Sequence, residues 1–304
     1  MKAIAIITFF MSLALMSIGQ SPKFDYFGVK SPGQKIELFA PDIVSLKNSN
    51  EKSLAISPFG DEVFFSAGPS WPECKIMHIK KINNQWTEPR VAEFSNDCFS
   101  TEPAFSPDGK YLYYSSSKGM QDIKQYCIWR VEKIGNKWGE PQKVIDIPDP
   151  KIWEFHPTIT KSGTVYFCCW DSLRQVGNIY KSKYSDGVYS EPEKVVLPFD
   201  VQGSDTDPFI DPEEKYLITS STAQNSQGGY DTYIFYKKKD GSWLSPINFG
   251  DKFNTPADDN SFDISPDGRF LFIYKQEDVY WTETKGIFPH FVQDRPRKAH
   301  TNKR

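Results

Sequence analysis

Five short turn motifs recur along this chain at nearly constant intervals. They begin at residues 57, 106, 160, 211 and 265, so neighbouring copies lie 49 to 54 residues apart. A fixed period of this length indicates a repeat architecture in which each copy is one supersecondary unit. The five copies read Ser57-Pro-Phe-Gly60, Ser106-Pro-Asp-Gly109, Thr160-Lys-Ser-Gly163, Asp211-Pro-Glu-Glu214 and Ser265-Pro-Asp-Gly268.

Each motif separates two runs that favour β-strands. After Gly109 the chain continues Lys-Tyr-Leu-Tyr-Tyr, and after Gly268 it continues Arg-Phe-Leu-Phe-Ile-Tyr. Aromatic and β-branched residues of this kind are enriched in strands. The turn chemistry agrees, because Pro presets φ, Asp bonds back to the backbone and Gly accepts a positive φ. The motif therefore predicts a β-hairpin in every repeat.

A second hairpin follows, and its outer strand carries a regular marker. An aromatic residue is followed three positions later by proline in four repeats: Trp86 and Pro89, Trp138 and Pro141, Tyr189 and Pro192, Trp243 and Pro246. Because proline cannot donate to a central ladder, this fourth strand is expected at the outer edge of its sheet, with the aromatic side chain covering it. Each repeat is thus predicted to be a four-stranded antiparallel meander, which is one propeller blade.

The fifth repeat lacks its own outer strand. No aromatic-x-x-Pro segment follows Trp281, but residues 35–44 near the N-terminus resemble the outer-strand segments of other repeats. We expect this segment to pair with the last blade and close the ring, which leaves only short protected edges. The predicted fold is an all-β, five-bladed β-propeller closed by an N-terminal strand.

The repeats resemble the WD40-like, TolB-type propeller repeat family. The resemblance rests on Phe105–Tyr114 and on residues 264–272, and later on residues 228–233 with 240–243; it covers about residues 36–284. The first turns of repeats three and four depart from the pattern. The resemblance implies a periplasmic or secreted bacterial protein and, commonly, protein binding or a cell-envelope role. It implies no single activity, because propellers have many functions.

The chain ends lie outside the repeats. Residues 1–19 have a positive start, an apolar run and small residues before Gln20, which predicts a cleaved signal peptide. Residues 20–34 are expected to form a lead, residues 35–288 the single propeller domain, and residues 289–304 a basic, disordered tail. The mature chain is expected to be a periplasmic or secreted monomer without a membrane span.

The net charge and the cysteine spacing limit the kinds of ligand that the chain is expected to bind. The net charge of −3 gives no field that would recruit nucleic acid. The cysteines show no metal-binding spacing, and their odd number leaves at least one thiol free; most are expected to be small buried residues. They are Cys74, Cys98, Cys127, Cys168 and Cys169, and their spacing does not define a disulfide pairing.

Acidic residues concentrate on the first strand of each repeat, which lines the axis of a propeller. Six positions before the turn motif stand Glu51, Ser100, Glu154, Asp205 and Asp259; four positions before it stand Ser53, Glu102, His156, Asp207 and Ser261. Positions two apart share one face of a regular strand, so both series are expected to point towards one axial mouth. The loops 115–125 and 220–229 are expected to form a rim on the face opposite the first hairpin turns.

Three interpretations of this acidic ring remain open. The carboxylates can line a wet channel and bond backbone N–H groups. They can bind a cation such as Ca²⁺, the one cofactor that the pattern suggests, or a polar ligand through Glu51, Glu154, Asp205 and Asp259. They can also act in catalysis on a glycosidic bond through Glu102, His156 and Asp207. We favour a non-enzymatic binding or scaffold module for a cell-envelope protein or glycan, with a carbohydrate-active hydrolase or lyase as the alternative.

Overall fold

The computed structural model describes residues 24–120, 125–145, 147–199, 202–223 and 226–287. Five small antiparallel sheets form a ring, which confirms the predicted five-bladed propeller. The predicted signal peptide and the basic tail lie outside the described residues. Within the described ranges no helix is long and apolar enough to span a membrane. The helical segments there are 3₁₀ turns at Tyr26–Gly28, Trp71–Glu73 and Glu93–Ser95.

Each blade is a meander that runs from the axis outwards. A short strand, β1 (Glu37–Leu38), precedes the first blade. The first blade comprises β2 (Asn50–Ile56), β3 (Glu62–Gly68), β4 (Lys75–Ile82), β5 (Gln85–Trp86) and β6 (Arg90–Val91). The second comprises β7 (Ser100–Phe105), β8 (Tyr111–Ser116), β9 (Cys127–Ile134), β10 (Lys137–Trp138) and β11 (Gln142–Lys143).

The remaining blades follow the same plan. The third comprises β12 (Ile152–Ile159), β13 (Val165–Asp171), β14 (Val176–Ser182), β15 (Tyr184–Ser185), β16 (Val188–Tyr189) and β17 (Glu193–Lys194). The fourth comprises β18 (Asp205–Ile210), β19 (Tyr216–Ser221), β20 (Asp231–Tyr236) and β21 (Ile247–Asn248). The fifth comprises β22 (Phe262–Ile264), β23 (Phe270–Lys275) and β24 (Asp278–Glu283).

The N-terminal segment closes the ring as predicted. Strand β1 pairs antiparallel with β24, and Leu38 lies opposite Tyr280. The backbone N–H of Phe39 donates to the carbonyl of Val279 at 2.8 Å, and the Phe39 side chain is fully buried. The lead contributes too, since the hydroxyl of Tyr26 donates to Asp267 of the last blade at 2.6 Å. The chain ends therefore lock the first and last blades together.

The hydrophobic core is divided into clusters between adjacent blades rather than gathered at the centre. The outer-strand aromatics belong to these clusters. Trp138 of the second blade packs edge-on against Phe64 of the first, with ring centroids 5.5 Å apart. Tyr189 of the third blade shares a 2.7 Å hydrogen bond with Tyr113 of the second. These two aromatics thus join their blades to the preceding ones.

Candidate functional site

In every blade a residue of the innermost strand, or in the fifth blade the residue directly before that strand, lies in the left-handed region of backbone conformation. These five residues are the series four positions before the turn motifs: Ser53 (φ 48°), Glu102 (φ 55°), His156 (φ 55°), Asp207 (φ 51°) and Ser261 (φ 63°). In the first four blades the strand pairing shifts by one residue at this point. The feature is a β-bulge, which leaves one residue unpaired and re-aims its side chain.

The bulges bring three ionisable side chains together near the axis. One donor atom from each of Glu102, His156 and Asp207 lies within 4.8 Å of the other two. The Nδ1 atom of His156 is 3.1 Å from Oδ1 of Asp207 and 3.9 Å from Oε1 of Glu102. All three residues are buried, with 3 to 7 % of their surface exposed. The three residues that the sequence suggested for catalysis therefore form one compact cluster, contributed by three consecutive blades.

Backbone and hydroxyl groups fix the orientation of Glu102. Its Oε2 atom accepts hydrogen bonds from the hydroxyl of Ser115 at 2.6 Å and from the backbone N–H of His156 at 2.8 Å. The backbone N–H of Glu102 itself donates to the hydroxyl of Ser66 at 2.9 Å. Because one oxygen is held by these bonds, the other faces the imidazole. The serine contacts link neighbouring blades and hold the cluster rigid.

The pKa values of the two carboxyl groups in the cluster are shifted in opposite directions. Burial raises the pKa of Glu102, although the charge of His156 partly offsets this. Burial also acts to raise the pKa of Asp207, but the contact with His156 and its charge outweigh it, and the net shift is downward. Burial acts to lower the pKa of His156, yet the contact with Asp207 and the charges of Asp207 and Glu102 raise it to about 9. At neutral pH the cluster contains an imidazolium paired with the Asp207 carboxylate.

The acids two positions earlier are placed differently. Glu154 accepts hydrogen bonds from the backbone N–H groups of Ile147 and Ile128, at 2.7 and 3.3 Å. Asp205 accepts from the hydroxyl of Ser221 at 2.6 Å, and Asp259 accepts from Thr255. The expectation that both series point towards one axial mouth is wrong for these three acids, because the bulge interrupts the period-two alternation. A ligand-binding role for Glu154, Asp205 and Asp259 stays a prediction, and their contacts match the structural interpretation.

Glu51 differs from the other members of its series. Its side chain is fully buried yet borders the axial cleft, and neither carboxylate oxygen makes a hydrogen bond of normal geometry. Burial, together with the nearby charge of Asp278, raises its pKa to about 7. A buried carboxylate without a strong partner is costly to ionise. Glu51 is therefore the acid of this series that lies beside the cleft.

A cleft of about 420 Å³ opens above the cluster at one axial mouth. Its wall is aromatic and half-buried, formed by Trp71, Tyr126, Trp153, Phe155, Trp170 and Tyr230. Tyr126 and Tyr230 directly follow the loops that the sequence placed at the rim. The tryptophans were not predicted, although all three lie at the same end of the inner strands as the acids. Their position at the acidic end of the inner strands was the one sequence feature that indicated a place in the cleft wall.

The charged groups of the cleft are mainly acidic. Five acidic and two basic side chains border it among the described residues: Glu51, Glu102, Asp207, Asp258, Glu277, Lys52 and Lys275. Lys52 is also engaged with the wall, since its Nζ atom lies 4.6 Å from the centre of the Trp71 ring. The cleft therefore disfavours anionic ligands and favours neutral or cationic ones.

The fold and site define a five-bladed β-propeller with an acidic axial cleft. No protein-family model and no curated protein matches the chain. Similar solved structures include a gluconolactonase from Xanthomonas campestris, with 12 % identity, 79 % of this chain and 87 % of that one covered, and a TM-score of 0.43. An α-L-arabinofuranosidase from Lactobacillus brevis has 15 % identity, covers 72 % of this chain and 82 % of its own, and has a TM-score of 0.45.

A third similar structure is regucalcin, a calcium-binding protein from Agrobacterium tumefaciens. It is 18 % identical to this chain, with 62 % of this chain and 61 % of that one covered and a TM-score of 0.43. Similarity at this distance carries no information about the ligand or activity of this chain. The function has to be argued from the site itself.

Proposed function

We propose that this protein is an exported, TolB-type bacterial propeller that binds a neutral glycan of the cell envelope in its axial cleft. The observation that carries the proposal is the half-buried aromatic wall above a floor of buried carboxylates. Aromatic faces pack against the C–H faces of sugar rings, and carboxylates accept hydrogen bonds from sugar hydroxyls. The location outside the cytoplasm rests on the N-terminal sequence and on the repeat family that the chain resembles.

The shape of the cleft favours a small or chain-like ligand over a folded protein. Its volume falls in the range of small-molecule sites, about 300–1,000 Å³. A stable protein partner needs about 800 Å² of surface on each side, which a concave mouth of this size supplies poorly. The excess of acidic side chains supports a neutral rather than an anionic glycan.

Glycan binding is tested by calorimetric titration with a panel of neutral and acidic envelope oligosaccharides. Trp153→Ala and Trp170→Ala should each weaken binding of the best neutral ligand at least about tenfold, which corresponds to about 1.4 kcal/mol. Phe59→Ala is the matched control, because Phe59 is 54 % exposed and belongs to the first hairpin turn of its blade, away from the cleft. Equal affinity for all four proteins, or no neutral glycan bound by the wild type, would overturn the proposal.

The same titrations distinguish binding from turnover. Reaction mixtures are examined afterwards for new reducing ends or unsaturated products. Intact oligosaccharide supports a binding module. Products formed by the wild type but not by the Glu102→Gln variant would instead establish the carbohydrate-active alternative.

A further inference from the structure

The three side chains at the floor of the cleft have the composition of a metal site. Glu102, His156 and Asp207 each direct one donor atom to a common region, with all three atoms within 4.8 Å of one another. Metal–ligand bonds of about 2.0–2.2 Å place neighbouring donor atoms about 3–3.5 Å apart. The 3.1 Å separation between His156 and Asp207 already meets this requirement, whereas His156 and Glu102 are 3.9 Å apart and would have to approach each other when the ion binds.

A second observation points independently to a ligand at this place. The Nδ1 atom of His156 is buried and makes no hydrogen bond of normal geometry, although Asp207 lies within 3.1 Å. The His156 side chain is 3 % exposed, and its left-handed backbone fixes the direction in which it leaves the strand. The ion pair with Asp207 thus leaves this nitrogen without a well-aligned hydrogen bond, and a cation that replaced the imidazole proton would bind the nitrogen and both carboxylates together.

The charge and the donor atoms of the cluster indicate which kind of cation these three side chains would bind. A metal ion would displace the imidazole proton, and the neutral imidazole and two carboxylates that remain carry two negative charges, which a divalent cation would balance. One nitrogen and two oxygens form a donor set that suits Zn²⁺, Mn²⁺ or Co²⁺. Ca²⁺ takes six to eight oxygen ligands and fits this set less well.

We propose that Glu102, His156 and Asp207 bind one divalent transition-metal ion at the floor of the axial cleft. The protein would supply three ligands, of which Glu102 and Asp207 also border the cleft. An ion there would present an open position to whatever ligand enters. The inference stands on the geometry of the cluster and does not rest on the ligand being a glycan.

The site is tested on the full-length mature chain after dialysis against EDTA and then against metal-free buffer. Separate calorimetric titrations with Zn²⁺, Mn²⁺, Co²⁺ and Ca²⁺ should show one transition-metal ion bound per chain. His156→Gln and Asp207→Asn should each weaken that binding at least about 100-fold. Asp259→Asn is the matched control, since Asp259 is a buried acid that precedes the innermost strand of the fifth blade and bonds Thr255 outside the cluster, and this variant should bind the metal like the wild type.

Spectroscopy on the wild type keeps the inference testable if a variant does not fold. Cu²⁺ substituted into the site should show hyperfine coupling to a single ¹⁴N nucleus, as expected for one imidazole ligand. Binding of no transition metal, binding of Ca²⁺ alone, a spectrum without nitrogen coupling, or equal losses in all three variants would each overturn the assignment. Metal binding without any glycan binding would support this inference while refuting the proposed function.

Discussion

Removal of the Phe39 side chain should open the propeller at its closure. Phe39 is fully buried and lies directly after β1, the only strand that joins the N-terminal segment to the last blade among the described residues. Its ring centre is 5.0 Å from that of Phe272 and 4.9 Å from that of Trp281. The Phe39→Ala variant therefore loses buried surface, these two aromatic contacts and a third, more distant one with Phe27.

The expected cost follows from this burial. A buried Phe→Ala substitution destabilises by about 3–5 kcal/mol, because the transfer free energy is lost and a cavity remains. For a domain of this size each kcal/mol shifts the melting temperature by about 2–4 °C, so a decrease of roughly 6–20 °C is expected. Leu38→Ala, at the neighbouring and 36 % exposed position, should cost less than about 1 kcal/mol.

Urea unfolding followed by tryptophan fluorescence measures both variants. Hydrogen exchange separates ring opening from general weakening, because Phe39→Ala should expose the amides of β1 and β24 before the other blades. Phe235→Ala, an equally buried substitution in the fourth blade, should leave those amides protected. Phe39 does not hold the ring closed if Phe39→Ala is no more destabilising than Leu38→Ala, or if hydrogen exchange rises equally in all blades.

Two further predictions concern buried titratable groups. Because the folded state raises the pKa of Glu51 from 4.5 to about 7, its ionisation costs stability progressively as pH rises through that window. The free energy of unfolding of Glu51→Gln should therefore equal that of the wild type below pH 4.5 and exceed it by up to about 3 kcal/mol above pH 7. The exposed control Glu88→Gln should change the free energy of unfolding at neither pH. A pH-independent difference between Glu51→Gln and the wild type in urea unfolding would refute this prediction. Burial raises the pKa of the Cys168 and Cys169 thiols, so iodoacetamide should label the half-buried Cys98 first and these two only on unfolding. Equal labelling of all three in the native protein, measured by mass spectrometry, would contradict their placement.

The sequence predicted the features that depend on local chemistry. The residues of turns such as Ser106-Pro-Asp-Gly109 predict the turn geometry, because Pro, Asp and Gly each favour one position of a hairpin turn. The prolines at 89, 141, 192 and 246 marked the outer edge, where missing donors are tolerated. The closure by residues 35–44 followed from the one blade that lacked such a segment. Fold class and blade count were therefore confirmed.

The direction of the inner side chains could not be obtained from alternation. A strict period of two placed Glu154 and His156 on one face, but the bulge between Phe155 and Thr158 separates them. The sequence does contain a trace of this bulge, since Pro157 directly follows His156, and proline equally follows Glu102 and Asp207. Proline inside a central strand indicates an interrupted ladder. Recognising it would have assigned the two acidic series to different environments.

The aromatic wall was also beyond prediction from single segments. Trp153 and Trp170 lie opposite each other on β12 and β13 of the third blade, whereas Trp71 belongs to the first blade and reaches the same cleft only when the blades assemble. Each is an ordinary aromatic residue of a blade, and an aromatic residue more often packs in a core than lines a cleft. The outer-strand aromatics show the opposite outcome, because Trp138 and Tyr189 join neighbouring blades. Long-range packing decides between the two roles.

The left-handed residue near the axis of each blade shows which features belong to the repeated fold and which are particular to the proposed site. Such a conformation costs about 1–3 kcal/mol in a residue other than glycine. Ser53 and Ser261 adopt it in blades one and five without bringing an ionisable group, so the bulge belongs to the blade repeat itself. Only the three consecutive blades between them place Glu102, His156 and Asp207 at this position. The ring supplies five equivalent positions aimed at the axis, and the sequence breaks that symmetry on one side of the cleft. Backbone strain alone therefore does not single out the proposed metal ligands, whereas the ionisable side chains at three of the five strained positions do.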